Sequence, residues 1–418
     1  MSPQWPDGQD LDEFRQHARK FIRGNLREVG PLSLARRALT DEEETVAVRR
    51  DREVQRLLWE GGLAGLCVPK EYGGRGLTPA HQELLNLELA GFEFPRRLQI
   101  PTFSPCAAVL LDYGTEDQKR EHLPAILKGE EVWLQLLSEP SGGSDAAGAL
   151  TTAERDGEEW VLNGSKIWTT GAWWSDWGLC LARTNWDVPK HRGLTVFILP
   201  IRHEGIEMHR IEMLNGNKEF CQEFLSDVRI PDSWRVGDVD DGWSVCTRWM
   251  FHERMLFNSP LVTLPVGTTR GNAGLASAYH LARDADRLED PTALDLAGEA
   301  YMLELVNREL HRRLLEGTEL GVLPDQIAAV GRLFSATVAM RTTTIAFDLA
   351  GPSGGAWSEH NRLSDAGTDF LMRQAPCIGG GTTEMARNVV SERVLGMPRE
   401  SAPDRGTAFR DVPRGPSN

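Results

Sequence analysis

The chain has 418 residues, 40% of them apolar, with 46 Lys and Arg against 61 Asp and Glu, a formal net charge of −15 at pH 7. That length allows two or three domains and a large core. The acidic balance excludes nucleic acid or an anionic membrane as the main partner, and an anionic ligand would need a local basic pocket.

The start, Met1-Ser2-Pro3-Gln4-Trp5-Pro6-Asp7, lacks the basic-then-apolar pattern of a secretory signal. Leu11, Phe14, Ala18, Phe21 and Ile22 fall at helical spacing among Asp, Arg and Lys, which predicts an amphipathic helix. Thr78-Pro79 reads as a cap followed by proline at the first helical position, leading into a helix over 81–89. Thr115 and Gln118 form a capping box, and Lys128-Gly129 closes the helix it opens.

The period then changes. Asp156-Gly157 and Asn163-Gly164 are both two-residue hairpin signals, with Glu159, Trp160, Val161 and Leu162 between them. Residues 195–199 form a short apolar strand, and Phe224, Ser226, Val228 and Ile230 alternate with other residues until Pro231. A compact antiparallel β-domain over about 131–240 is expected. From Trp243 the helical pattern returns, with helices expected at 243–258, 266–284, 293–316, 325–350 and 382–395, the last ended by Gly396 and Pro398. The glycine-rich stretches 351–355 and 379–381 are expected as loops, and the tail after Pro398 is expected to fray.

An α–β–α order with helices at both ends argues against a doubly wound nucleotide fold. No Gly-x-Gly-x-x-Gly follows a strand, there is no P-loop lysine motif, and the second histidine of a zinc-protease motif begun at His252-Glu253 would fall on Leu256. No metal site is expected. The six cysteines (Cys67, Cys106, Cys180, Cys221, Cys246, Cys377) are scattered without a Cys-x-x-Cys pair and read as buried free thiols in a reducing cytosol. No apolar run reaches membrane-spanning length, so a cytoplasmic location is expected. Asn163-Gly164-Ser165 matches a glycosylation sequon but in that compartment reads as a turn.

Two segments carry chemistry together: Leu-Ser-Glu-Pro-Ser-Gly-Gly-Ser-Asp at 137–145 and Asn-Gly-Ser-Lys-Ile-Trp-Thr-Thr at 163–170. Their short hydroxyls, bare glycine amides and tryptophan can cradle a flat cofactor with polar edges. With Val-Pro-Lys-Glu-Tyr-Gly-Gly-Arg-Gly at 68–76, His252-Glu253-Arg254, Gly-Gly-Gly-Thr-Thr-Glu at 379–384 and Glu-Arg-Val-Leu-Gly at 392–396, the chain resembles the acyl-CoA dehydrogenase family over about 11–399. The resemblance implies an α+β fold: an N-terminal all-α domain (1–130), a middle antiparallel β-barrel domain (131–240) and a C-terminal four-helix bundle (241–400), with 401–418 a flexible tail. It implies FAD in a cleft at a subunit interface, an acyl-CoA substrate, electrons passed to a flavoprotein acceptor, and a homo- or hetero-oligomer.

Desaturating a thioester needs a base for the α-proton, a hydride acceptor facing the β-carbon, and donors for the charge that builds on the thioester oxygen. Matched to the family motif, Gln135, Leu137, Ser138, Gly143 and Ser144 should wrap the flavin and its ribityl-phosphate arm. Trp168 should cover a ring face, with Thr169 and Thr170 beside it. The alternative for these residues is an ordinary β-turn and a core tryptophan. Glu253 is the candidate base, a carboxylate among large apolar side chains whose desolvation would raise its pKa while Arg254 opposes the shift; the alternative is a structural Glu-Arg pair. In much of the family the base precedes Gly-Thr in the loop before the last helix; here that position is Gly380, and a minority of relatives place the glutamate where Glu253 stands. Ser144 and Arg254 carry a substrate-contact expectation. Thr382 and Glu384 open the last helix, a place the family sets against FAD.

The resemblance fails in one respect. An Arg-x-x-Phe-Gly segment that the family uses to hold a neighbouring subunit's FAD is replaced by Ala282-Arg283-Asp284-Ala285-Asp286-Arg287-Leu288-Glu289-Asp290-Pro291, and a second such contact, a glutamine, is Asp348. Both losses concern groups given in trans, which suggests pairing with a different dehydrogenase-like subunit. Alternative readings are a non-catalytic partner subunit, and an oxidase or a desaturase of carrier-protein-bound acyl groups on the same fold.

Overall fold

The computed structural model describes residues 11–29, 38–256, 259–265, 274–356, 363–402 and 404–413. The first third is helical. Helix α1 (Leu11–Asn25) buries Phe14, Ala18 and Ile22, while Leu11 stays exposed. That face packs on Val54 and Leu58 of α2 (Asp41–Glu60) and Leu85 of α3 (Pro79–Glu88), sealing a small apolar core. Short α4 (Arg96–Leu98) runs into a π-helical segment, Gln99–Ala107, and then α5 (Ala108–Tyr113). Helix α6 (Glu116–Lys128) starts at the expected Thr115–Gln118 capping box and ends on Gly129 in left-handed conformation.

The middle third is a sheet of eight strands: β1 (Trp133–Leu136), β2 (Thr152–Asp156), β3 (Glu159–Thr170), β4 (Trp177–Arg183), β5 (Leu194–Pro200), β6 (Ile206–Ile211), β7 (Phe220–Pro231) and β8 (Arg235–Val236). Its path is β6-β7-β3-β2-β4-β5-β8, with β1 beside β4. The sheet is mixed rather than purely antiparallel. β1 runs parallel to β4, and Thr152 of β2 pairs in parallel with Arg183 of β4. The long excursion through β2 and β3 supplies the crossover that the parallel β1–β4 pair requires. The sheet curls around Leu134, Leu136, Trp160, Leu162, Cys180, Phe197, Leu199, Cys221, Val228 and Ile230.

Two local expectations are corrected here. Asp156-Gly157 does turn the β2–β3 hairpin, but Asn163-Gly164 lies within the single long strand β3. The β3–β7 register slips between Leu162 and Gly164, opposite left-handed Asp227, whose N–H donates to the Asn163 side chain at 2.8 Å. A Cβ on Gly164 would meet Thr151 Oγ1 at 2.6 Å, so glycine permits the close approach of a bulge rather than a turn. The same bulge shifts parity along β7. Phe224 and Ser226 face outward while Val228 and Ile230 are buried, so the four do not share one face.

Helix α7 (Gly242–Arg254) buries Val245, Cys246 and Trp249 in a core shared with Phe103, Leu123, Trp133, Leu179 and Leu181. It stops at Arg254, short of the expected 258; residues 257 and 258 lie outside the described residues. The C-terminal region comprises α8 (Gly274–Asp284), α9 (Pro291–Glu319), α10 (Ala328–Ala350), α11 (Ser364–Leu371) and α12 (Thr383–Val389). The expected start of α8 at 266 also lies outside the described residues. Asp290 caps α9 by accepting the Thr292 N–H at 2.9 Å, with Pro291 at the first helical position. Small residues, Ala278, Ala282, Ala293, Ala297 and Ala300, let α8, α9 and α10 close on Ile345 and Leu349. Helix α12 yields to a π-helical turn, Val390–Val394, rather than continuing to 395. No helix among the described residues is long and apolar enough to cross a membrane.

The segment expected to fray does not, over 404–413. Phe409 is buried, its ring stacked on Trp186 at 5.4 Å with the Arg183 guanidinium 3.8 Å from its centroid. Its N–H donates to Val188 O at 2.9 Å, and Arg410 pairs with Asp187. A buried aromatic and two backbone hydrogen bonds offset the ordering of the chain end.

Candidate active site

The core shared by the helical and β-domains also builds the cleft. The π-helical segment abuts β1, where the Thr102 hydroxyl donates to Trp133 O and accepts the Trp133 N–H, and the Cys106 thiol donates to Leu134 O at 3.3 Å. Ser104 Oγ donates to His252 O at 2.7 Å, tying the same segment to the last turn of α7. Trp249 Nε1 donates to Gln135 Oε1 at 2.6 Å. Asp112 on α5 accepts from His252 Nε2 at 2.8 Å and pairs with Arg248, which fixes the rotation of α7. Gln135 therefore has its carbonyl engaged by α7, and Leu137 packs partly against the shared core. Neither presents its whole side chain to a cofactor, as the motif match implied.

The loop after β1 is held from beneath. Glu139 and Gly142 exchange backbone hydrogen bonds. The Glu139 carboxylate accepts the Leu150 and Thr151 N–H groups at 2.6 and 3.0 Å and pairs with Lys166 Nζ at 2.8 Å. Lys166 is 0% exposed and also donates to Leu137 O and Leu181 O. Burial pushes the Glu139 pKa up, but Lys166 and the loop N–H groups outweigh it and leave the net direction down. Thus staked, Ser138, Gly143 and Ser144 keep their own side chains and N–H groups clear of bonds within the described residues, and Ser138 O joins the two motif segments by accepting Ile167 N–H at 3.0 Å. Gly143 lacks a left-handed φ, and a Cβ there would touch nothing within 4 Å. Nothing in this chain requires glycine at that point, which is what close approach by a ligand would explain.

Further along β3, Trp168 is the extra residue of a second bulge, at φ 63, where the register slips between Ile167 and Thr169. Its indole is 56% exposed, resting by one edge on Phe220, and so offers an open face. Thr170 is half-buried with its hydroxyl unengaged among the described residues. Thr169 corrects the expectation. It points inward, and its hydroxyl bonds Glu223 Oε2 at 2.7 Å, because neighbouring strand residues take opposite faces. At most its backbone can face a cofactor.

Glu253 lies one helical turn beyond Trp249, on the stripe of α7 that meets β1. Its carboxylate makes no hydrogen bond or ion pair among the described residues, retains some exposure, and is densely surrounded by protein. Burial raises its pKa against the opposing pull of Arg254 and Arg332, and its place in the last turn adds the unfavourable end of the helix dipole. Its field reaches Cys106, placing the π-helical wall across from it. Arg254 is exposed beside it and makes no ion pair among the described residues.

No motif in the sequence marks Arg332. Its guanidinium on α10 donates to Gly379 O and, at 3.0 Å, to Gly381 O, and its charge acts on Glu253. It thereby brings the glycine loop, with left-handed Gly380 and Gly381, to the side of α7 that carries Glu253. Thr382 spends its acceptor capping α12 at Met385 N–H, 3.1 Å. Glu384 is exposed and pairs with Arg387 at 3.3 Å; the helix-start backbone N–H and the Thr383 hydroxyl hold its pKa down. Among the described residues no hydrogen bond or ion pair joins Thr382 or Glu384 to the 135–170 segments. In the altered segment, Arg283 pairs with Asp284, and Arg287 pairs with Asp290 while donating to Asp348 O at 2.7 Å. Both arginines are engaged at home.

An open indole, unengaged hydroxyls at Ser138 and Thr170, and free N–H groups along 143–144 fit a flavin with its anionic arm. Residues 8–130 match the acyl-CoA dehydrogenase N-terminal domain, and residues 135–228 the middle domain of the same family. The chain is similar to acyl-CoA dehydrogenase IpdE1 of Mycobacterium tuberculosis, at 32% identity over 398 residues, 94% of this chain and 99% of that one. It is similar to acyl-CoA dehydrogenase FadE34 of the same organism at 34% identity over 355 residues, 85% of this chain and 47% of that one. Among solved structures, the Tcur3481-Tcur3483 steroid ACAD superposes with a TM-score of 0.76 at 28% identity, covering 96% of this chain and 100% of that one. Two matched domains and a near-full-length relative show that the chain belongs to the acyl-CoA dehydrogenase family, as an oxidoreductase acting on an acyl-CoA.

Proposed function

We propose that the chain removes the α-proton and β-hydride of an acyl-CoA thioester with Glu253 as the base and FAD as the bound cofactor. The observation that carries this reading is the largely buried Glu253 carboxylate, without a hydrogen-bond partner among the described residues, on the α7 stripe that meets β1. A carboxylate with raised pKa holds an abstracted proton better than an exposed one, which matches a weakly acidic α-carbon. Gly380, at the other base position of the family, has no group to compete for the role. Ser138, Gly143, Ser144, Trp168 and Thr170 would hold the flavin, with Thr169 contributing only backbone; Thr382 and Glu384 remain candidate contacts. Ser144 and Arg254 would meet the CoA-bearing end of the substrate. FAD, when bound, supplies the hydride acceptor at N5 and passes the electrons to a flavoprotein acceptor. Anaerobic addition of an acyl-CoA to the flavin-loaded protein is expected to bleach the long-wavelength flavin band; a panel of straight-chain and steroid-derived acyl-CoAs that leaves it intact would refute the reading.

A hetero-oligomer is the assembly we infer. Arg283 and Arg287 are consumed by Asp284, Asp290 and the end of α10, so neither is left for a neighbouring subunit's cofactor. The solved neighbour at 28% identity is named as a pair, Tcur3481-Tcur3483. Tyr301, Met302, Leu305 and Val306 form an exposed apolar stripe on α9 suited to a subunit contact. Native mass spectrometry is expected to show the chain with a second, different subunit and fewer FAD than subunits. A fully flavinylated, active assembly of this chain alone excludes it.

A further inference from the structure

Beneath the Trp168–Thr170 end of β3 lies a buried carboxyl that the reaction does not use. Glu223 on β7 is 0% exposed. Oε2 bonds the Thr169 hydroxyl at 2.7 Å, and Oε1 has no partner among the described residues. The charged and titratable groups around it come from every packed element. Lys166 lies across the β3–β7 ladder from it, Cys180 comes from β4, Cys221 from its own strand, and Glu139 from the loop after β1. Of these only Lys166 is a cation; its charge pulls against the burial of Glu223, but its ammonium makes no bond to that carboxyl among the described residues. An ammonium has three N–H groups, and those of Lys166 go to Glu139, Leu137 O and Leu181 O. Both thiols are pushed up, Cys180 to about 11 and Cys221 to about 12, by their burial first and then by these carboxylates. An ionised Glu223 would be a buried anion with no hydrogen-bonded counter-ion and only a partial pull from Lys166, a costly state.

We propose that Glu223 is a positioning residue for the cofactor-facing end of β3: held as a neutral carboxylic acid, it draws Thr169 inward and so keeps Trp168 and Thr170 turned to the cleft. A neutral acid can both accept from and donate to the Thr169 hydroxyl, whereas a carboxylate only accepts. The bulge makes the pinning necessary. Trp168 is the unpaired residue of its ladder, so its conformation depends on the anchors on either side, Ile167 on Ser138 O and Thr169 on Glu223. Burial, partly countered by the Thr169 bond and by Lys166, raises the Glu223 pKa to about 7, so the neutral acid predominates below that pH.

The role rests on the flavin reading of Trp168 and Thr170. The full-length protein, with any subunit that purifies with it, is compared with Glu223→Gln and Glu223→Ala, with and without added FAD. The folded pKa lies above the ordinary 4.5, so the contribution to stability is complete below 4.5 and is lost as pH rises through about 7. Wild-type melting temperature is therefore expected to fall, relative to Glu223→Gln, between about pH 5 and pH 8. Glu223→Gln is expected to keep FAD affinity within ~2-fold and the shape of the long-wavelength flavin band, while Glu223→Ala loses ~10-fold in affinity and alters that band. Identical pH slopes for wild type and Glu223→Gln would overturn the neutral acid. A Glu223→Ala variant that folds and binds FAD with the wild-type spectrum would overturn the positioning role. Wild-type protein that takes up no FAD refutes the flavin reading itself, and the positioning role with it, while the pH slopes still decide the protonation state.

Discussion

Glu253→Gln is expected to retain FAD and lose turnover by about 10³-fold or more, within the range that a general base contributes. Glutamine keeps the shape of the side chain and cannot accept the α-proton. The measurement is anaerobic bleaching of the flavin band by the best acyl-CoA found, followed as a rate. Because the carboxyl pKa is raised, chiefly by burial, the wild-type rate should climb with pH through a midpoint above the ordinary 4.5, and that limb should vanish in the variant. Bleaching by Glu253→Gln at the wild-type rate would remove Glu253 from the reaction.

The same substitution has a second signature. The Glu253 pKa is raised in the folded protein, so what it contributes to stability is present below 4.5 and lost as pH rises through the higher, folded value. An unpartnered carboxylate in that position is a cost at pH 7, and Glu253→Gln should melt slightly above wild type there. A residue kept for structure, as in the plain Glu-Arg pair, would give the opposite sign. Arg254 makes no ion pair with it among the described residues, which already weighs against that alternative.

What the sequence made legible follows from where the signal is local. The Thr115–Gln118 box, the Asp156-Gly157 turn and the Asp290-Pro291 start of α9 are each decided by residues within four positions. Glu253 was visible because its neighbours in sequence are apolar and its helix is amphipathic. The supports of the site were not, because their partners are remote. Lys166 and Glu223 sit in strands where alternation normally assigns a charge to the solvent face, yet both point inward. Bulges at Trp168 and at Asp227 change the parity on which such an assignment depends. Thr169 stands between Trp168 and Thr170 in the motif, and strand alternation turns its own side chain inward to Glu223, a partner remote in sequence. Asn163-Gly164 has the chemistry of a hairpin, and only the ladder with β7 shows that the strand runs through it. The π-helical wall from Gln99 to Ala107 contains Pro101 and Pro105, which lack N–H donors; those two prolines were the available signal. Arg332 had none, since its link to the glycine loop joins residues 47 positions apart.

Lys166→Met is the second large expected effect, and it falls on stability rather than chemistry. Lys166 and Glu139 form an ion pair with side chains 0% and 4% exposed. Removing one partner of such a pair leaves the other charge buried and typically costs about 3–5 kcal/mol. The loop from Glu139 to Ser144 would lose its stake, so FAD content should fall with the melting temperature, and added salt should change little because solvent does not reach the pair. The pH dependence separates this from mere loss of packing. In wild type the Glu139 pKa is held below 4.5, so its stabilisation is present above that value and lost as pH falls through the lower, folded pKa. Without Lys166 the burial that opposes this has no counterweight from the ammonium, and the carboxyl should shift upward and take up a proton. The deficit of Lys166→Met should therefore be largest at neutral pH and shrink on acidification. Adding Glu139→Gln to Lys166→Met should recover much of the loss, since a neutral amide oxygen can still accept the Leu150 or Thr151 N–H. A double variant no better than the single would mean that the lysine acts through its bonds to Leu137 O and Leu181 O, as a strut for the strand rather than a counter-charge for the loop.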